Sequence, residues 1–196
     1  MKKIEIIWRE LLFQSIEKKN REFTQKEIAQ KFGFSTSTVF QALKIPRKMG
    51  AIRVTGRNFV VEDPEKLLYH WASIRNLDSE TIYKTAVSQS ANQIEAQMPP
   101  LVIFGGFTAA RESLKIPPAD YDQVFVYATD LAEIKKRFPL QKGREGLFVL
   151  EADRFLARYG QITCLAQTFV DLWNLPEWNA KEYAESIKEK IDGLLS

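Results

Sequence analysis

Apolar positions recur at helical spacing through the first third of the chain, alternate briefly, and then gather into short runs separated by further helical stretches. Ile4, Ile7, Trp8, Leu11, Leu12 and Ser15, with charged residues between them, predict an amphipathic helix over residues 4–18. Thr24 with Glu27 three residues on forms a capping-box signature, and Phe23 just before it is placed to fold onto Ile28, so a short second helix is expected to run to Phe32. Gly33 ends it, because a left-handed residue after a helix costs glycine little. Ser35 then caps a third helix beginning at Thr36, with Val39, Ala42 and Leu43 pointing inward. Pro46 removes the backbone donor to Ala42 and is expected to kink that helix or end it early.

After Gly50 the period changes from helical to alternating. Ala51–Thr55 and Asn58–Val61 around Gly56-Arg57 predict a tight hairpin, with Ile52, Val54, Phe59 and Val61 as packing positions. Pro64 sits where a helix begins, and Leu67, Leu68, Trp71 and Ile74 give that helix an apolar face that closes a first domain near Leu77. Thr81–Thr85 reads as a strand or a helix end, and Ala91–Gln97 as helical. Beyond them, Leu101–Phe104, Gln123–Ala128 and Gly146–Leu150 read as strands, and 107–114, 131–138, 163–173 and 179–194 as helices. The expected fold class is therefore α+β: a domain of helices and a hairpin over residues 1–77, then a small α/β domain over 78–196.

Charge sharpens the picture of the first domain. The formal net charge is only +3, but residues 1–75 carry 15 Lys and Arg against 8 Asp and Glu, while residues 76–196 carry 13 against 17. Between Ile28 and Val61 there is no acid at all, although Lys31, Lys44, Arg47, Lys48, Arg53 and Arg57 fall there. That is the charge pattern of a surface that meets a polyanion. No apolar run is long enough to span a bilayer, Glu5, Arg9 and Glu10 interrupt any N-terminal leader pattern, and a cytoplasmic protein is expected. One cysteine, Cys164, and one histidine, His70, exclude an internal disulfide and a Cys/His zinc cluster.

Three helices with a glycine turn between the last two follow the helix-turn-helix plan, and the hairpin after them is a wing. A helix entering the major groove needs short polar side chains near its N-terminus and longer donors further along. Thr36, Ser37, Thr38, Gln41 and Lys44 supply these, and Phe40 on the same exposed side is placed to contact a thymine methyl. Arg47, Lys48, Arg53 and Arg57 suit phosphates, with Arg57 at the hairpin tip also able to enter a minor groove. A protein-contact module with a merely solvated basic face is the competing interpretation.

Phe23–Ile52, with Thr24-Gln-Lys-Glu-Ile-Ala, Gly33, Ser35, Ser37-Thr-Val39, Leu43 and Lys48-Met-Gly-Ala-Ile52, resembles the winged helix-turn-helix domain of prokaryotic transcription regulators. It departs at Pro46, where those regulators usually carry leucine. Tyr121–Tyr127, Gly146–Leu150 and Gln167–Trp173 resemble the C-terminal domain of AbiEi-type antitoxins from type IV toxin-antitoxin systems, which is related in shape to nucleotidyltransferases. The resemblances imply a DNA-binding transcriptional regulator of antitoxin type acting on double-stranded DNA, whose C-terminal domain binds a partner or a ligand, a toxin being one such partner. Because duplex specificity commonly needs two half-sites, a homodimer is expected.

Nucleotidyl transfer needs a Gly-Ser turn and paired carboxylates on the following strand to hold magnesium. Gly105-Gly106-Phe107 lacks the serine, and Gln123–Ala128 has no acid; Asp120 and Asp122 precede that strand and Asp130 follows it. No catalytic residue, metal ligand or cofactor is therefore assigned, and a metal-dependent nucleotidyltransferase stands as the alternative. Trp173, Trp178, Phe169 and Leu172 are expected to be buried packing rather than a partner surface.

Overall fold

In the computed structural model, which describes residues 1–196, the chain divides into two compact units: Met1–Arg75 with Ile191–Ser196, and Asn76–Lys190. The first unit is built on its helix caps. Helix α1 spans Lys3–Glu17, strand β1 Glu22–Thr24, helix α2 Gln25–Phe32 and helix α3 Thr36–Lys48. Thr24 Oγ1 accepts the Glu27 N–H at 3.1 Å while Glu27 Oε2 accepts the Thr24 N–H at 3.0 Å, a complete capping box. Gly33 then leaves α2 at φ +62°, and Ser35 Oγ accepts the Thr38 N–H at 3.1 Å to start α3. Replacing Thr24 with Ala is expected to lower stability by about 1 kcal/mol, measurable as a shift in the urea midpoint.

Strands β2 (Ile52–Thr55) and β3 (Asn58–Val61) form the expected hairpin, turning through Gly56 at φ +60°. The structure adds a partner that the sequence pattern did not indicate. β1 pairs antiparallel with the outer side of β3, Phe23 opposite Phe59 with ring centroids 5.7 Å apart, giving sheet order β1-β3-β2. Three residues are too few for an alternating pattern to register. Val54, expected to pack, is exposed instead, as is Ile74 on helix α4 (Pro64–Ile74).

Pro46 does not end α3 early. It lies buried beside Val39, Ala42 and Leu43, and the helix runs two residues further before Gly50 at φ +77°. The carbonyl of Ala42, which loses its usual i+4 donor to the proline ring, accepts the indole N–H of Trp8 from α1 at 2.8 Å. A side chain from another helix has taken the place of the missing backbone bond.

Helix α1 also departs from simple amphipathicity, because Glu5, Arg9 and Glu10 are buried. Glu5 Oε2 accepts the Trp71 indole N–H at 3.0 Å and pairs with the buried Arg75 guanidinium at 3.3 Å. Such a pair is retained in a core only where hydrogen bonds offset desolvation, and Trp71 supplies one. His70, on α4, stands edge-on to Trp8 with centroids 5.0 Å apart, and burial lowers its pKa.

In the second unit, β4 (Thr81–Ala86), α5 (Ala91–Ala96), β5 (Ile103–Gly105), α6 (Gly106–Ser113), β6 (Val124–Ala128), α7 (Ala132–Arg137), β7 (Glu145–Glu151), α8 (Leu165–Trp173) and α9 (Trp178–Leu195, whose last residues group with the first unit) follow in order. The sheet order is β4-β7-β6-β5, with β6 parallel to β7 and both outer pairings antiparallel. Every residue of β6 is buried, as an uninterrupted Val-Phe-Val-Tyr-Ala run requires of a strand covered on both faces. Val124, Val126 and Ala128 join Ile94 and Met98 from the α5 region and Ile134 of α7 in one core, whereas Phe125 stacks on Phe148 at 4.7 Å on the opposite face. Leu101, expected within β5, is almost fully exposed, and the strand begins two residues later. The molecule is thus a mixed α+β protein with two small sheets.

Candidate nucleic-acid interface

Capping by Ser35 and burial of Val39, Ala42, Leu43 and Pro46 fix which face α3 turns outward. Thr36, Ser37, Phe40, Gln41, Lys44, Arg47 and Lys48 are all exposed on it, together with Ile45, which the sequence pattern did not single out. Thr38 is half-buried and its hydroxyl lies 2.9 Å from Ser35 Oγ, so it serves the helix start. On the hairpin, Arg53 and Arg57 are exposed, the latter within the turn.

The six cations of the acid-free window do not form one uniform patch. Lys31 Nζ is 2.5 Å from the Glu10 carboxylate of α1, and Arg53 meets Glu62 at 2.5 Å just past β3. Both acids lie outside residues 28–61, so the composition of that window alone does not reveal them. Lys44, Arg47, Lys48 and Arg57 have no acidic partner and remain exposed. These four are the groups free to meet phosphate, where displacement of counterions makes affinity fall with salt.

In the second unit, the glycine pair between β5 and α6 is tightly enclosed. A β-carbon on Gly105 would lie 2.8 Å from Tyr127 Cε2, and one on Gly106, at φ +51°, 3.1 Å from Phe125 Cδ2. The pair is thus explained by aromatic rings of β6 against which α6 starts, and no ligand is needed to account for it. Asp122 pairs with Arg144 at 2.8 Å, Asp130 accepts the Ala132 N–H at 2.9 Å, and Asp120 lines an open hollow of about 350 Å³ with Asp122 and Arg144. No three His, Cys, Asp or Glu side chains are grouped to share a metal ion. Glu95 accepts hydrogen bonds from Thr108 and Tyr121, each at 2.7 Å, and pairs with Arg111 at 2.9 Å. Burial, followed by that bond to Glu95, raises the Tyr121 hydroxyl pKa well above its ordinary value.

Phe169 and Leu172 are buried as expected, but Trp173 and Trp178 are not: both indoles are exposed, at the end of α8 and the start of α9. Trp173, the last residue of α8, keeps one ring face on Phe169 with centroids 5.7 Å apart, and Trp178 opens α9 beyond the short connection. No helix is long and apolar enough to cross a membrane. Comparison with family models, with curated proteins and with solved structures gives no match to this chain.

Proposed function

We propose that this protein is a DNA-binding transcriptional regulator of antitoxin type, whose first unit is a winged helix-turn-helix that places α3 in the major groove of a duplex. The observation that carries the proposal is the set of four exposed cations, Lys44, Arg47, Lys48 and Arg57, without acidic partners on α3 and the hairpin turn. Ser37 and Gln41 offer hydrogen-bonding groups to base edges between them, and Arg57 at the hairpin tip addresses the flanking backbone. On the same reading the second unit is nucleotidyltransferase-like in shape and non-catalytic, and binds a partner such as a toxin, a ligand or a second copy of the chain. Exposed Trp173 and Trp178 give it apolar surface for that purpose. A homodimer would present two recognition helices to two half-sites.

Titration of a fluorescent duplex with the full chain over a range of salt tests the proposal. Binding is expected to weaken linearly in log-log form as salt rises, and selection from random duplexes should return a defined sequence whose preference changes in Gln41→Ala. Failure to retain any duplex at any salt would favour a protein-contact module instead. Transfer of labelled nucleotide in the presence of magnesium, abolished by substituting Asp120 and Asp122, would establish the enzymatic alternative.

A further inference from the structure

Phe40 and Ile45 are large apolar side chains left 43% and 54% exposed on a helix whose other outward residues are polar or cationic. At 3.6 residues per turn, Ser37, Gln41, Lys44 and Lys48 fall within about 60° of one another, opposite the buried line of Val39, Ala42, Leu43 and Pro46. Phe40 and Ile45 lie about 140° apart, one on each flank of that polar ridge. The buried proline matters to this placement. Because Trp8 satisfies the Ala42 carbonyl, the helix continues unbroken past Pro46 and Ile45 keeps its helical azimuth.

We propose that α3 reads thymine, with Phe40 and Ile45 as specificity residues that each pack on a 5-methyl group on either side of the ridge. This rests on the DNA-binding reading given above and refines it. The thymine methyl is the one apolar feature that base pairs present in the major groove, and a helix of ordinary width brings its flanks, as well as its crest, near base edges there. Gln41, adjacent to Phe40, has the donor and acceptor pair that matches adenine, thymine's partner. A protein occupant would have to be strongly acidic to meet the same face, since Lys44 and Lys48 lie between the two apolar side chains, Arg47 lies beside Phe40, and no acid lies between residues 28 and 61.

The test uses the full chain and the tightest duplex recovered from a random pool, resynthesised with deoxyuridine in place of thymine at one position at a time. Wild type is expected to lose about fourfold in affinity at each methyl that is read, from the burial of one methyl-sized group. Phe40→Ala and Ile45→Ala should each abolish the loss at its own position while still binding the uridine duplex. Both sites are exposed, and the duplex-binding titration itself reports a folded protein. Equal affinity for thymine and uridine duplexes, or a selected site without thymine beneath α3, would overturn the inference and leave DNA binding standing. Absence of binding to any duplex would remove both.

Discussion

Replacing Lys44, Arg47, Lys48 and Arg57 together by alanine is expected to lower the slope of log affinity against log salt by about 3.6, from about 0.9 for each phosphate that is no longer neutralised. Between 50 and 200 mM salt that slope alone corresponds to about a hundredfold difference in affinity. All four side chains are exposed and lack acidic partners, so the weaker binding should come without a change in the unfolding midpoint. Arg53→Ala is expected to move the slope much less than Arg57→Ala, because Glu62 already neutralises Arg53 at 2.5 Å. Equal effects of the two single substitutions would mean that the hairpin pair opens when a duplex arrives, and an unchanged slope in the quadruple variant would exclude this face as the binding surface.

Substituting Trp8 by Phe should destabilise the first unit by about 1–3 kcal/mol through loss of the donor to the buried Ala42 carbonyl, in addition to the smaller volume of the phenyl ring. The volume change can be separated by a double-mutant cycle with Pro46→Ala. An alanine at 46 has the N–H that the proline lacks, and it can bond Ala42 when the indole is gone. The penalty of Trp8→Phe should therefore be smaller in the Pro46→Ala background by about 1 kcal/mol, read from urea unfolding. Strictly additive effects would show that the indole bond does not substitute for the helix bond.

Caps and turns were legible in the sequence because each depends on a few neighbouring residues. Thr24 with Glu27, Gly33, Ser35 and the Gly56-Arg57 turn all formed where their local chemistry placed them. Features set by residues far along the chain were not. The rescue of Pro46 by Trp8, the pairing of β1 with β3, and the burial of Glu5 against Trp71 and Arg75 each join segments that no local pattern links. The same limit applied to the candidate interface. The acid-free window was visible, but the neutralisation of Lys31 and Arg53 came from Glu10 and Glu62 beyond its ends. Ile45 follows from the same local spacing, because with Val39, Ala42 and Leu43 inward the helical period turns residue 45 outward, but an apolar side chain does not stand out as a contact residue until its exposure is seen.

The short β1 strand has a consequence for how the first unit assembles. By joining Thr24 to Asn58, it closes a loop that contains both α2 and α3, so the entropy of that loop must be met before the two helices are held at both ends. Helix formation within the loop is local, whereas the contact that fixes both of its ends joins distant parts of the chain and costs more entropy to make. Once made, the same stitch confers cooperativity: neither α2 nor α3 can unravel far without also drawing on the hairpin.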